Sequence, residues 1–498
     1  MKEKQPDIKT SPSLSFASSC PCCQSWRQRR PVKVVPEEEE EEEESSATTN
    51  HNYAPSAAHQ DKDWGDVYVL RNARVFTLTD PINDNEGELL DIWVSAGKIW
   101  ALTPSVPQQL TQLCCHSSLP ATLSEINLAG RVIGPGLVDI HVHIVGGGGE
   151  AGFGSRTPEA RATDLIEAGV TTFVATLGTD SVTRGMENLV AHTRALASVQ
   201  ALSTNSSSST ATTATTTSLT GRTWLGGYSF PIENTLTGSV RRDVTLIPEI
   251  IGVGELAISD HRGSYPSTQE LLRLVAEVRV AGMLAGKAGV TYCHLGEDAS
   301  GLQPLQDVVE RNPLLQTSIV PTHMERSSQL IKEGVTWMKS GGRIDFSGWP
   351  DRQRSALQRY RTDPETWELV KERLSISSDS YGSINVFDDD GRLIRYSYGL
   401  PSTLLRTLMA LVYEDGIPMG TALRLFCKNP ATVIGLNQAP SCKGSIEVGG
   451  DADLLVLQLP PSPLAADYPR EEIFDMRWPS TKGVLQYVIA KGVPLMKL

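Results

Sequence analysis

No run of 18 apolar residues occurs in this 498-residue chain, so no segment has the length and character of a membrane-spanning helix. A basic surplus is missing as well. Forty-five Lys and Arg stand against 58 Asp and Glu, a net charge of −13, and a nucleic-acid partner needs a basic surface. Part of that acidity is one solvated run, residues 37–44, so the folded part is less acidic than the total. Cysteine is scarce. Eight in a chain of this length make no disulfide framework. Cys20, Cys22 and Cys23 lie in a tail without a second cluster, and Cys114 and Cys115 fall in a polar connection. Cys293, Cys427 and Cys442 fall among apolar or turn residues, so all eight read as reduced thiols of an intracellular protein. No charged start followed by an apolar core opens the chain, which argues against secretion and for the cytoplasm. The first 36 residues carry seven Lys or Arg and two acids, and so keep an organelle transit peptide open as an alternative.

What is present is a globular composition, 40% hydrophobic and 21% charged, behind a tail (1–64) rich in Ser, Pro and Glu that is expected to be disordered. From Val67, VYVLRNARVFTL and ELLDIWVSAGKIWAL alternate apolar and polar residues, as do GSIEVGGDADLLVLQL and GVLQYVIAKGVPLM near the other end. The two ends (65–133 and 439–498) are therefore expected to build one small β-sandwich, with a catalytic (β/α)8 TIM barrel (134–438) inserted between them. A Ser/Thr-rich stretch, 203–220, reads as a disordered insertion in the barrel.

Residues 134–150, GPGLVDIHVHIVGGGGE, open the barrel. A short apolar strand ends in His141 and His143, which alternation points to one face. Imidazole is a common ligand for zinc-like ions. Two histidines facing a barrel interior or solvent is the plain alternative. TPEARATDLIEAG then reads as a helix with an N-terminal Thr and a C-terminal Gly. Seven more strands are expected at 171–178, 223–229, 252–258, 290–296, 318–324, 343–348 and 374–380. Several end in a group able to bind metal: Glu255, His294, His323 and Asp379. In a parallel barrel such ends meet on one face, and four of only nine histidines fall there.

Read in order, DIHVHIVGGGGEAG, LGTDS, AISDHR, VPTHMER and SSDSYGS resemble the isoaspartyl (β-aspartyl) dipeptidases of the amidohydrolase superfamily, over roughly residues 66–498. The resemblance implies hydrolysis of β-aspartyl dipeptides by a homo-oligomer holding two divalent ions, zinc above all. His141 and His143 would hold one ion, His294 and His323 the other, Glu255 would bridge them, and Asp379 would bind metal and act as general acid/base. Tyr228 would stabilise the oxyanion and Glu150 would receive the substrate ammonium. Arg262 and Arg326 would fork onto its carboxylates, with Ser383 at the leaving residue and Gly148 and Thr179 at the aspartyl end.

Plain alternatives stand beside three of these roles: a salt bridge from Arg262 to Asp260, a core position for Tyr228, and a solvent-facing Glu150. Asp180 and His261 lie in matching motifs with structural roles sufficient for them. The chain departs from the best studied members at Glu255, where they place a carboxylated lysine. Charge is kept, but the glutamate is shorter, so either its strand comes closer or one ion is held more weakly. The rival functions are another amidohydrolase reaction (dihydroorotase-like or N-acetylhexosamine deacetylase-like) and a non-catalytic scaffold.

Overall fold

In the computed structural model the described residues are 67–78, 87–104, 124–198, 219–348, 350–387, 393–459 and 484–497. The expectations for the tail 1–64, for nearly all of 203–220 and for Cys20, Cys22, Cys23, Cys114 and Cys115 lie outside them.

The first alternating stretches become strands β1 (Val67–Val75), β2 (Glu88–Ser95), β3 (Lys98–Pro104), β4 (Ser124–Asn127) and β5 (Val132–Pro135). The next eight run parallel: β6 (Leu137–Val142), β7 (Val170–Ala175), β8 (Thr220–Leu225), β9 (Ile250–Ile258), β10 (Val290–Leu295), β11 (Ile319–Thr322), β12 (Ile344–Ser347) and β13 (Leu374–Ser377). Strands β14 (Ser383–Phe387) and β15 (Leu393–Tyr398) make a two-stranded sheet of their own. Strands β16 (Leu454–Leu457), β17 (Leu485–Ala490) and β18 (Val493–Lys497) return to the first sheet, in the order β18-β17-β16-β5-β1-β2-β3 with β4 beside β1. The two ends of the chain thus share one sheet. Alternation decides which residues face which side. Leu454, Val456 and Ile489 pack with Tyr68, Leu70, Ile92 and Ile133 in the sheet's own core. Leu455, Leu457, Leu485 and Val488 join the core of the α/β body.

Strands β6 to β11 form a six-stranded parallel sheet in sequence order, and β12 pairs with β13. Hydrogen bonds complete the circuit at both gaps, from Met324 N to Asp345 O (3.3 Å) and from His143 N to Ser380 O (2.9 Å). The result is a TIM-barrel-like α/β domain. Its interior is filled by Val138, Ile140, Val174, Trp224, Ile251, Tyr292 and Val320, closed by Ala431, Val433 and Ile434. Trp224 stacks on Tyr292 (5.2 Å, 8°) and donates to Ile140 O at 2.9 Å. That interior forms the floor of the site described next.

Helices fill the gaps with legible ends. In Thr268–Ala285, Ser267 and Glu270 form a reciprocal capping box, and Gly286 closes the helix at φ 63°. The helix expected to start at Thr157 begins later, at Ala162, and ends at Glu167. Thr157 serves elsewhere, donating to Tyr381 O (2.5 Å) and accepting from Gly147 N (2.6 Å). No helix among the described residues is long and apolar enough to cross a membrane.

Candidate active site

His141 is the penultimate residue of β6, and His143 lies one residue past its end, with ring centroids 5.2 Å apart. The glycine run that follows turns back sharply, with Gly146, Gly148 and Gly149 at φ 79°, 72° and 105°. A Cβ on Gly146 would sit 2.4 Å from Thr157 O, so only glycine fits. Buried Arg184 holds this loop, donating Nη1 to Gly147 O (2.5 Å) and Nη2 to Thr157 O (3.0 Å). Nothing in the sequence marks Arg184 for that task, because its partners are backbone carbonyls.

Glu255 reaches the site through a β-bulge. Between Thr291 and Cys293 of β10, β9 advances from Val253 to Leu256, one residue more than its partner. Such an insertion re-aims a side chain. A Cβ on Gly254 would lie 2.8 Å from Tyr292 Cβ and O, so glycine lets the two strands approach. The shorter glutamate is thereby brought within reach of both histidine pairs. Its Oε2 lies 3.0 Å from His141 Nε2 and 3.6 Å from His143 Nε2; its Oε1 lies 2.5 Å from His294 Nδ1 and 3.1 Å from His323 Nε2. Asp379 adds an oxygen 3.4 Å from His141 Nε2 and 3.2 Å from His143 Nε2. His323 and Asp379 sit at φ 63° and 50° just past their strands, a conformation costly for side chains with a Cβ and common at functional sites.

Among the described residues, ligand atoms within 4.8 Å of one another form two groups, His141–Glu255–His323 and His141–His143–Asp379. His294 belongs to neither and instead lies against Glu255 Oε1. His141 Nε2 and Glu255 Oε2 are buried and close, yet neither has a hydrogen-bond partner. Buried polar atoms in folded proteins are mostly paired, and these two stand out by lying against each other. Two such donor atoms side by side, in a cluster whose ligand atoms lie within 4.8 Å of one another, fit a divalent cation.

Charge tells the same story. Burial acts to raise Glu255, but His141 and His294 hold it well below the usual carboxylate range. Burial acts to raise Asp379 as well, but His141 and His143 outweigh it and hold it below its ordinary value. Burial opposes charging of His141, but Glu255 and Asp379 push it up to about 10. Burial, with Arg326 and His294 beside it, pushes His323 down to about 3. The carboxylates demand positive charge at the centre of the cluster.

The outer residues are less free than the sequence suggests. Arg262 closes its fork on buried Asp260 (Nε–Oδ1 2.9 Å, Nη2–Oδ2 2.8 Å), the salt bridge named as its alternative. Its Nη1 turns to Glu150 Oε1 at 3.4 Å, and its guanidinium lies 5.0 Å over the Tyr228 ring. Glu150 also accepts from Thr179 Oγ1 at 3.0 Å. Arg326 donates Nη1 to Leu295 O (2.6 Å) and lies 3.1 Å from His294 Nε2. Tyr228 OH lies 2.9 Å from His294 Nδ1, and burial raises the phenol well above its ordinary value, so it stays a donor. A Cβ on Gly148 would lie 3.3 Å from Ser383 Cβ, which puts those two side by side. Asp180 accepts from Thr183 N at 2.9 Å, and the His261 ring is exposed, 3.6 Å from Asp260.

Asp260 itself is the residue that the motif reading underrated. Its Oδ2 lies 3.1 Å from His294 Nε2 while the same carboxylate holds Arg262. Burial would raise it, but the bonds from Arg262 and His294 hold it far below the usual range. The acid inside AISDHR was the available signal.

Solved structures of known enzymes resemble the chain as a whole. The β-aspartyl dipeptidase of Fervidobacterium islandicum AW-1, in complex with β-Asp-Leu, is 33% identical, with 88% of this chain and 97% of that one covered and a TM-score of 0.68. A second structure of the enzyme from that organism is 32% identical, covering 86% and 97%, with a TM-score of 0.66. The dihydropyrimidinase of Brevibacillus agri NCHU1002, 13% identical over 86% of this chain and 95% of its own with a TM-score of 0.54, shares the fold alone. Residues 363–494 match the amidohydrolase family. With a third of its residues identical over nearly the whole of a β-aspartyl dipeptidase, the chain belongs to the β-aspartyl dipeptidases of the amidohydrolase superfamily.

Proposed function

We propose that this protein hydrolyses β-aspartyl dipeptides in a metal-dependent reaction, releasing aspartate and an amino acid. One observation carries the reading: Glu255, a buried carboxylate with one oxygen toward His141 and His143 and the other toward His294 and His323. His141, His143, Glu255, His294, His323 and Asp379 would hold two divalent ions, zinc by their nitrogen and oxygen donors, with Glu255 between them. Ions bound there supply Lewis-acid polarisation of the scissile carbonyl and acidify water.

The chain's own groups do the rest. Asp379 takes the proton of the attacking water and passes it to the departing amine. Tyr228 donates its hydroxyl to the developing oxyanion. Glu150, supported by Thr179, receives the α-ammonium beside Gly148. Arg262, through Nη1, and Arg326 attract the substrate carboxylates, and Ser383 holds that of the leaving residue. The fold-level reading adds a terminal sheet coiled on its own core as a small β-sandwich, a homo-oligomeric assembly and a cytoplasmic location.

The test is hydrolysis of β-Asp-Leu by wild type and Glu255→Ala, with metal content measured in both. Retained metal and retained rate in the variant would remove Glu255 from the centre. Dihydroorotate and N-acetyl sugars serve as competitors, and faster turnover of either would assign a different amidohydrolase reaction. Activity restored after chelation is expected to need a divalent ion and not bicarbonate.

A further inference from the structure

Asp345 lies in the middle of β12, fully buried, and neither the ligand set nor the outer residues use it. Its Oδ1 accepts from Ser375 Oγ at 2.6 Å. Its Oδ2 accepts from Ser377 Oγ at 2.6 Å, Tyr292 OH at 2.7 Å and Thr322 Oγ1 at 2.8 Å. Burial pushes this carboxyl up while the Ser375 and Ser377 hydroxyls lead the pull back down. The four partners are neutral hydroxyls from β10, β11 and β13, each with a single hydrogen to give.

Counting those hydrogens leads to His141. Tyr292 OH is committed to Asp345, so toward His141 Nδ1, 3.2 Å away, its oxygen offers lone pairs. Ser377 Oγ lies 2.6 Å from the Asp345 carboxylate and 2.9 Å from Ser347 Oγ. The shorter bond, to an anion, is the stronger, so Ser377 keeps its hydrogen there. Ser347 Oγ lies 3.0 Å from the same nitrogen, His141 Nδ1. When the ring is neutral, as a metal ligand must be, the Tyr292 oxygen keeps its hydrogen on Nδ1. Nε2 is left with its lone pair 3.0 Å from Glu255 Oε2.

We infer that Asp345, acting through Tyr292, is a positioning residue that sets the tautomer of His141 and so its strength as a metal ligand. The inference rests on the metal-site reading above. Outer partners of this kind orient a ligand histidine and raise its basicity, and losing them costs about 10- to 100-fold in metal affinity.

The test measures zinc affinity of the full chain by competition with a chromophoric chelator, alongside the thermal midpoint. Tyr292→Phe combined with Ser347→Ala removes both hydroxyls that face His141 Nδ1 and keeps the ring that stacks on Trp224. Its zinc affinity is expected to fall about 10- to 100-fold. Ser375→Ala removes a hydroxyl from the same carboxylate with no route to His141, and is expected to bind zinc as wild type does at a similar thermal midpoint. Equal losses in Ser375→Ala and the double variant would make the cluster structural and overturn the inference. Wild-type affinity in the double variant would overturn it too. His141→Ala separates the two levels: unchanged zinc binding there would sink the metal-site reading itself, and the inference with it.

Discussion

Two clusters of buried charge, built from similar groups, differ in what they leave unsatisfied. At the junction of the terminal sheet, Lys443 is buried between Asp453 (2.5 Å) and Asp451 (2.8 Å). Lys98 holds the other Asp451 oxygen at 2.5 Å, and Asp453 Oδ1 accepts from Lys491 N at 2.8 Å. Each of those carboxylate oxygens has an N–H donor from the chain, so nothing remains for a ligand. At the barrel rim His141 Nε2 and Glu255 Oε2 lie 3.0 Å apart, and neither has a hydrogen-bond partner. Charge paired within the chain holds a fold together; charge left open on converging atoms marks a place for a cation. Burial alone does not separate the two.

The comparison breaks most visibly on metal removal. Chelation should lower β-Asp-Leu hydrolysis by on the order of 10³-fold or more, and a divalent ion should restore it; full activity in metal-free protein would refute the distinction. Glu255→Ala should cost about as much in rate and reduce bound metal, read by elemental analysis beside the kinetic assay. Lys443→Met sharpens the contrast from the other side, because it strands Asp451 and Asp453. It should cost about 3–5 kcal/mol of stability with kcat per folded molecule unchanged, as measured by denaturant unfolding.

The same junction should respond to pH in a defined window. Burial acts to raise Asp451, but Lys443 and Lys98 outweigh it and lower it from its ordinary 3.8. Its contribution is therefore present above pH 3.8 and lost as pH falls through the lowered value. Burial acts to lower Lys443, but Asp453 and Asp451 raise it from 10.5, so its contribution is present below 10.5 and lost above the raised value. Wild type and Asp451→Asn should thus differ in denaturant midpoint at neutral pH and converge in strong acid. Smallest of all, Ser267→Ala should cost about 1 kcal/mol through the lost cap of Thr268–Ala285, with metal binding untouched.

Much of this was readable in advance because it rests on local periodicity. Alternation located the strands at both ends, and the strands of the barrel fall where the apolar runs do. The histidines and carboxylates proposed as ligands are legible because they close those runs. Thr157 misled because a Thr before Pro158 looks like a helix start, whereas its hydroxyl ties the glycine loop to Tyr381. The sequence leaves Arg262 a salt bridge as its alternative, and only the fold shows that Asp260 takes two of its nitrogens. Asp345 carried a signal that went unused: an acid inside an apolar strand needs partners, but pairing spans residues 292 to 377.

By itself the sequence determined the order of strands and helices, the sharing of one sheet pattern by the two ends, and the short list of groups able to bind a cation, because each depends on spacing along the chain. Tertiary structure decided which atoms stay open. The bulge at Glu255, the fork on Asp260 and the hydroxyls around Asp345 bring together residues from separate strands, and whether a lone pair is already taken is settled only when those strands meet in space.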